Sequence, residues 1–141
     1  MRSFGKLGVV LLVLMALASC GQSKLTDIES LRSQFRSAMS LASEADLFVN
    51  FVRDGQATVN YAAGHAKQLA ELIQQSESEL KQMAEAPAAP AAVRTCNDSL
   101  ESLRREVLEI PNSLGKPPAL QDRERTILEI QRQLKQASAS L

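Results

Sequence analysis

The sequence is poor in the residues from which most catalytic and cofactor sites are built. It has one histidine, one tyrosine, two cysteines and no tryptophan in 141 residues. A di-iron bundle needs Glu-x-x-His on two helices and a haem bundle needs axial ligands, which the lone His65 does not supply. The sequence also lacks a Gly-rich phosphate loop, a nucleophile elbow and a Cys-x-x-Cys pair. We therefore expect a protein that is not an enzyme and that holds no metal or other cofactor.

An excess of one charge is also missing. The chain carries 16 basic and 16 acidic residues. Domains that bind nucleic acid show a strongly basic face, and proteins that adhere to anionic lipid headgroups show basic clusters. We therefore expect no nucleic-acid partner, and we expect any membrane attachment to use something other than a polybasic patch.

A long uncharged apolar run does occur, but only near the N-terminus. Arg2 and Lys6 precede residues 7–18, LGVVLLVLMALA, which contain no charge. Twelve residues of helix span about 18 Å, whereas the hydrocarbon core of a bilayer is about 30 Å thick. The run is therefore too short for a stable transmembrane helix and has the length of a signal-peptide core.

The residues that follow this run carry a resemblance to a known class. Leu17-Ala18-Ser19-Cys20 resembles the lipobox of bacterial lipoproteins, an apolar residue and two small residues before a cysteine. The resemblance implies that the signal peptidase recognises Leu17, Ala18 and Ser19 and cleaves before Cys20, whose thiol carries a diacylglyceryl group. It covers only the first twenty or so residues and implies nothing about the fold of the mature domain.

The resemblance divides the chain into three parts: a signal peptide at 1–19, a lipidated tether at 20–25 and a mature domain at 26–141. Two or three acyl chains anchor a protein stably, whereas a single chain binds a bilayer marginally. By the same resemblance, Gly21 in place of an aspartate after the lipidated cysteine favours the outer membrane, with the domain facing the periplasm, over the inner or plasma membrane. Cleavage removes Arg2 and Lys6 and leaves 14 basic against 16 acidic residues.

The mature domain shows helical periodicity in four consecutive segments. Apolar or small residues recur at alternating steps of three and four, as on a heptad seam. Thr26 and Glu29 form a capping-box pattern that predicts the start of the first helix. We predict an all-α fold, an antiparallel up-down-up-down four-helix bundle with a fully apolar interior and acidic residues on solvated faces. Its helices are predicted at about 26–54, 57–85, 91–110 and 117–140.

The break between the first two segments can be interpreted in two ways. Only Gly55 interrupts the pattern, so residues 26–85 could form one long helix or a hairpin. In a hairpin, large residues repeatedly face small ones, with Phe35 opposite Ser76, for example, and residues 50–64 are poor helix formers. We therefore predict a hairpin. It places Asp46 opposite His65.

Aromatic residues cluster around this first turn. Phe48, Phe51 and Tyr61 fall there together with His65, and the mature chain has only one further aromatic residue. Two outcomes are open. Either residues 110–118 fold over this end of the bundle, or the end is exposed and binds a partner, as clustered aromatic residues do at interfaces. Cys96 falls on the apolar seam, where we expect an inert thiol.

Two functions from different classes follow. In the first, a monomeric bundle is tethered to the membrane through acyl chains on Cys20 and presents its tip to an envelope protein, or serves as a structural accessory. In the second, the bundle carries an apolar ligand such as a lipid in its core. Close helix contact disfavours a cavity, and the seam is rich in alanine: Ala38, Ala42, Ala45, Ala62 and Ala66.

Overall fold

The computed structural model describes residues 4–83 and 88–141, with side chains from residue 27 onward. It contains four α-helices: α1 (Phe4–Arg53), α2 (Val59–Met83), α3 (Pro90–Glu109) and α4 (Pro117–Ala139). A short 3₁₀ helix, Pro111–Ser113, lies between α3 and α4, and these described ranges contain no β-strand. The prediction of an all-α fold with four helices is confirmed.

Helix α1 begins earlier than the sequence predicts. Its backbone is helical from Phe4, so Thr26 does not cap its N-terminus and the predicted start at residue 26 is wrong. The residues before Thr26 contain no proline, and the glycine at position 21 costs a helix only about 1 kcal/mol relative to alanine. The side chains of Leu17, Ala18, Ser19 and Cys20 lie outside the described residues, and cleavage before Cys20 stays a prediction.

In the part of the chain that the structure describes, no helix is long and apolar enough to cross a membrane.

Each helix packs mainly against two others. The most extensive contacts join α1 to α4 and α2 to α3, further contacts join α1 to α2 and α3 to α4, and a smaller one joins α1 to α3. Gln34, early in the described side chains of α1, donates a hydrogen bond to Glu79, late in α2, at 3.1 Å. Arg32 donates to the backbone oxygen of Leu141, after the end of α4, at 2.9 Å. These bonds place this part of α1 beside the last turns of α2 and the end of α4.

The predicted seams form the core. Large side chains with less than 2 % exposure come from all four helices and from the residue that follows α3, and they include Phe35, Ile73, Leu80, Leu100, Ile110, Ile127 and Leu134. The alanines of α1 and α2 lie between them at 0–2 % exposure, namely Ala38, Ala42, Ala45, Ala62 and Ala66. Small residues let helix axes approach closely, so this part of the bundle is densely packed.

Two predictions about the core are wrong. The interior is not fully apolar, since Ser76, Glu77, Ser99 and Ser113 are also buried. Glu77 lies beside the seam of α2 and accepts a hydrogen bond from Arg104 Nε of α3 at 3.2 Å, which offsets the cost of burying its charge. The second error concerns Val59, which the alternation of three and four places on the apolar seam of the second segment; it is 69 % exposed because it is the first residue of α2.

One arginine fastens the segment between α3 and α4. Arg123, the single charged member of the predicted seams, is half-buried. Its Nε donates to Ser113 Oγ at 2.8 Å and its Nη1 donates to Glu106 at 2.9 Å. The 3₁₀ helix therefore lies against α2, α3 and α4 at the end of the bundle where the α1–α2 turn is found.

Candidate interaction site at the hairpin tip

A glycine motif ends α1 and fixes the turn into α2. Gly55 N–H donates to Val52 O at 3.1 Å, and Gln56 N–H donates to Phe51 O at 3.2 Å. This pair of bonds is the Schellman motif, which places a residue with positive φ after the helix. Gly55 has φ +73° and occupies that position. The chain therefore forms the predicted hairpin rather than one long helix.

The turn also starts α2 at a defined residue. Thr58 Oγ1 accepts a hydrogen bond from Tyr61 N–H at 3.2 Å, as an N-cap side chain does. The first backbone bond of the helix runs from Ala62 N–H to Thr58 O at 2.9 Å. Phe51 and Tyr61 are thus each part of a capping motif, which sets the position of their rings.

Replacing Gly55 by Ala is expected to lower the free energy of unfolding. A Cβ at this position would meet nothing within 4 Å, so the cost is that of the left-handed conformation, about 1–2 kcal/mol. Gly64 is the matched control, because a Cβ there also meets nothing within 4 Å but the residue is helical. Gly64→Ala should raise the free energy of unfolding by about 0.5–1 kcal/mol. Urea denaturation of both variants tests this, and shifts of the same sign would contradict the assignment.

The four predicted tip residues lie together as a continuous set of rings, which we call the aromatic ladder: Phe48, His65, Tyr61 and Phe51. The His65 ring meets Phe48 edge-on at 4.6 Å between centroids and stacks on Tyr61 at 5.6 Å with an interplanar angle of 6°. Phe51 and Tyr61 lie 5.5 Å apart. Phe48 is buried, Phe51 and His65 are half-buried, and Tyr61 is 48 % exposed, so the ladder runs from the core to solvent.

The predicted partner of His65 is wrong. His65 Nε2 lies 3.6 Å from Glu44 Oε1 rather than beside Asp46. Two residues along a helix are about 200° apart, so Asp46 lies on the other side of α1. There it accepts a hydrogen bond from Asn50 at 3.2 Å, and burial, helped by the nearby charge of Glu124 on α4, raises the pKa of its carboxyl.

Part of this end of the bundle is covered and part of it is exposed. The segment after α3 packs against α2, and the core residues Val49, Val52 and Ala62 are buried. Leu47, on the outer side of α1, is nevertheless 71 % exposed. Together with Tyr61 and Val59 it leaves an apolar surface at the tip. Leu47 lies off the seam, between Ala45 and Val49, and it was not predicted as part of the tip.

The Cys96 thiol and the possible metal ligands are the remaining candidates for a reactive site. Cys96 is fully buried, and burial raises the pKa of its thiol to about 12, so the reactive thiolate is strongly disfavoured. Among the described residues, no group of three or more His, Cys, Asp or Glu side chains could hold a metal ion.

Grooves lined by the described residues are found at the surface. One of about 440 Å³ lies between α3 and α4, with Ser102 on one side and Thr126 on the other. Another, of about 400 Å³, continues along the same pair of helices past Gln133 to Ala91 and Ser140. Both are open to solvent, so neither encloses a bound molecule.

The chain was compared with protein-family models, with curated proteins and with solved structures, and it matches none of them.

Proposed function

We propose that the mature protein is a non-enzymatic lipoprotein of the bacterial cell envelope. Acyl chains on Cys20 hold it to the membrane, and its four-helix domain presents the hairpin tip to a protein partner. The outer membrane, with the domain in the periplasm, is the proposed location, because Gly21 rather than aspartate follows the lipidated cysteine.

The exposed end of the aromatic ladder is the observation that carries the interaction role. Tyr61 is half-exposed, and two largely exposed aliphatic side chains, Leu47 and Val59, lie on the same hairpin. Protein surfaces in contact with water rarely carry clustered apolar side chains, and aromatic residues are typical anchors of interfaces. The capping motifs around Gly55 and Thr58 fix the backbone that carries Phe51 and Tyr61, which lowers the entropy cost of binding through these two rings.

The position of the tip along α1 supports the same role. From Cys20 to Arg53 the helix rises by about 50 Å, so a protein anchored at Cys20 would hold the tip well away from the bilayer surface. A partner in the periplasm could reach a site at this distance from the lipid.

A photo-crosslinking residue at Leu47 is expected to capture a discrete partner in cells of the native bacterium. Leu128 on α4 is the control, because it is also an exposed leucine, at 46 % exposure, and lies at a similar height along the bundle but outside the α1–α2 hairpin. We expect an envelope-protein adduct from position 47 and none from position 128, read on immunoblots after irradiation. Identical adduct patterns from both positions, or no adduct from position 47, would contradict the proposal.

The carrier alternative has less support. A lipid inside the bundle needs a cavity, and the alanine layers of α1 and α2 are buried against large side chains at 0–2 % exposure. The described grooves between α3 and α4 are open to solvent rather than enclosed. The close packing of the alanine layers and the openness of these grooves both favour the interaction role.

A further inference from the structure

We infer that the tip partner presents a cationic amphipathic segment, and that this segment docks on the outer side of the α1–α2 hairpin beside the aromatic ladder. The inference rests on the proposed function and deepens it, because it assigns the chemistry of the partner.

Two helical stripes form the outer side of the hairpin. On α1, Glu44, Leu47 and Phe51 follow one another at steps of three and four, and on α2 Tyr61 and Leu72 share a face with His65. The stripes adjoin, because Phe51 contacts Tyr61 and Glu44 contacts His65. We call this surface the docking face and define it by Glu44, Leu47, Phe51, Tyr61 and Leu72. It places apolar side chains next to each other in two rows, as a groove that accepts an amphipathic helix does.

The charges on and beside the docking face are negative. Glu44 is exposed there, and Glu71 is exposed next to Leu72. Glu79 continues the α2 stripe one turn beyond Gln75, and hydrogen bonds from Gln34 and Gln75 lower the pKa of its carboxyl, which keeps it ionised. A partner that covers this surface must therefore approach several carboxylates.

The basic residues of this hairpin lie elsewhere. In residues 27–53 of α1, Arg32 bonds Leu141 O and Arg53 pairs with Glu124, both on the α4 side. Arg36 shares a groove with Ser138 and lies eleven residues, about three turns, before Leu47 on the same face of α1. On α2, Lys67 lies about 120° round the helix from Tyr61 and one turn before Glu71, and Lys81 lies about 180° round from Leu72. None of these five cations from residues 27–83 forms an ion pair with Glu44, Glu71 or Glu79.

This charge distribution indicates which kind of partner the docking face binds. A second copy of the chain would bring the same carboxylates against this face without a compensating cation, and like charges disfavour that contact. A segment with lysine or arginine on one side and leucine-type residues on the other would match both the carboxylates and the apolar side chains of the docking face. Its cations would meet Glu44 and the exposed face of the Tyr61 ring, which attracts cations by its quadrupole.

The test uses the full chain in phosphatidylcholine nanodiscs and two fluorescent peptides. One peptide carries Leu and Lys in helical periodicity, and the other has Glu at every Lys position. We expect saturable binding of the Lys peptide that exceeds its binding to empty nanodiscs, and we expect its affinity to fall as the salt concentration rises. We expect no binding of the Glu peptide. Glu44→Lys should raise the dissociation constant about tenfold or more, while Glu101→Lys, an exposed position on α3, should leave it within about twofold.

Two leucine variants test the apolar component in the same assay. Leu47→Ala should weaken the Lys peptide about tenfold, and Leu128→Ala should not. Circular dichroism of each variant checks the fold. We expect it to be intact, because all the substituted positions are exposed. Equal binding of the two peptides, an equal effect of Glu101→Lys, no binding, or a dimer that Glu44→Lys alters would each overturn the inference.

The outcome is separable from that of the proposed function. An adduct at position 47 in cells, combined with no binding of the Lys peptide, would support the interaction role and contradict the inference of a cationic partner. Absence of the adduct would count against the interaction role itself.

Discussion

Replacing Cys20 by Ser is expected to abolish lipid attachment and normal processing of the chain. A serine hydroxyl does not replace the cysteine thiol as the site of diacylglyceryl transfer, and cleavage in this class follows lipidation, so residues 1–19 should stay attached. The precursor would then be held only by its apolar run, which is too short to span a bilayer stably. Incorporation of a labelled fatty acid, electrophoretic mobility and membrane fractionation measure the effect. Labelling of the Ser variant equal to wild type would contradict the lipoprotein assignment.

A chain that begins at Gly21 is the matched control for the role of the lipid. All of the long apolar run lies before Cys20, whereas the apolar residues of the four-helix domain are buried against each other, as Phe35, Leu80 and Leu134 are. We therefore expect this chain to be soluble, monomeric and highly helical without a membrane. Circular dichroism and sedimentation velocity test it. An unfolded chain or an elongated dimer would show that the domain depends on the segment before Gly21.

The helices themselves were predictable because their signals are local. The alternation of three and four residues places Phe35, Ile73 and Leu100 on buried faces, whatever the relative order of the helices. The break at Gly55 could be predicted as well, because the poor helix formers around it and the pairing of large with small residues favour a turn. The aromatic ladder followed from this hairpin, since the turn brings the end of α1 beside the start of α2.

The errors in the predicted contacts arise because a shift of one or two positions along a helix changes which neighbouring helix a side chain faces. A hairpin aligned by residue number placed Asp46 opposite His65, but the contact is made by Glu44, because side chains two positions apart face opposite ways. Glu77 was assigned to a solvated face, and it is buried because Arg104 of another helix covers it. Such a contact depends on the rotation of both helices, which the sequence does not specify.

The start of α1 is a different kind of error. Thr26 and Glu29 have the pattern of a capping box, but a capping box stabilises an N-terminus only where the chain before it is not helical. The preceding residues contain no proline, and the helix extends through them from Phe4 despite the glycines at positions 5, 8 and 21. The aliphatic components of the docking face were missed because single leucines off the seam, such as Leu47 and Leu72, are common on helix surfaces and carry no signal alone.

Replacing Phe35 by Ala is expected to destabilise the domain more than the same change at Phe51 of the tip. Phe35 is fully buried in α1, and removing a buried phenyl ring costs about 3–5 kcal/mol, which is a large part of the stability of a small domain. The cost should be near the upper end, because Ala38 and Ala42 on the same helix are too short to fill the space and Ser76 of the neighbouring helix is polar. Urea denaturation of the chain from Gly21 measures it.

Phe51→Ala is the control that separates the core from the docking face. Phe51 is half-buried and packs on Tyr61, so its loss should cost about 1–2 kcal/mol, while the same variant weakens binding at the tip. If Phe35→Ala costs no more than Phe51→Ala, the interior around Phe35 is loosely packed rather than filled. That result would favour the carrier of an apolar ligand, because a bundle able to lose a central ring without penalty has room for one.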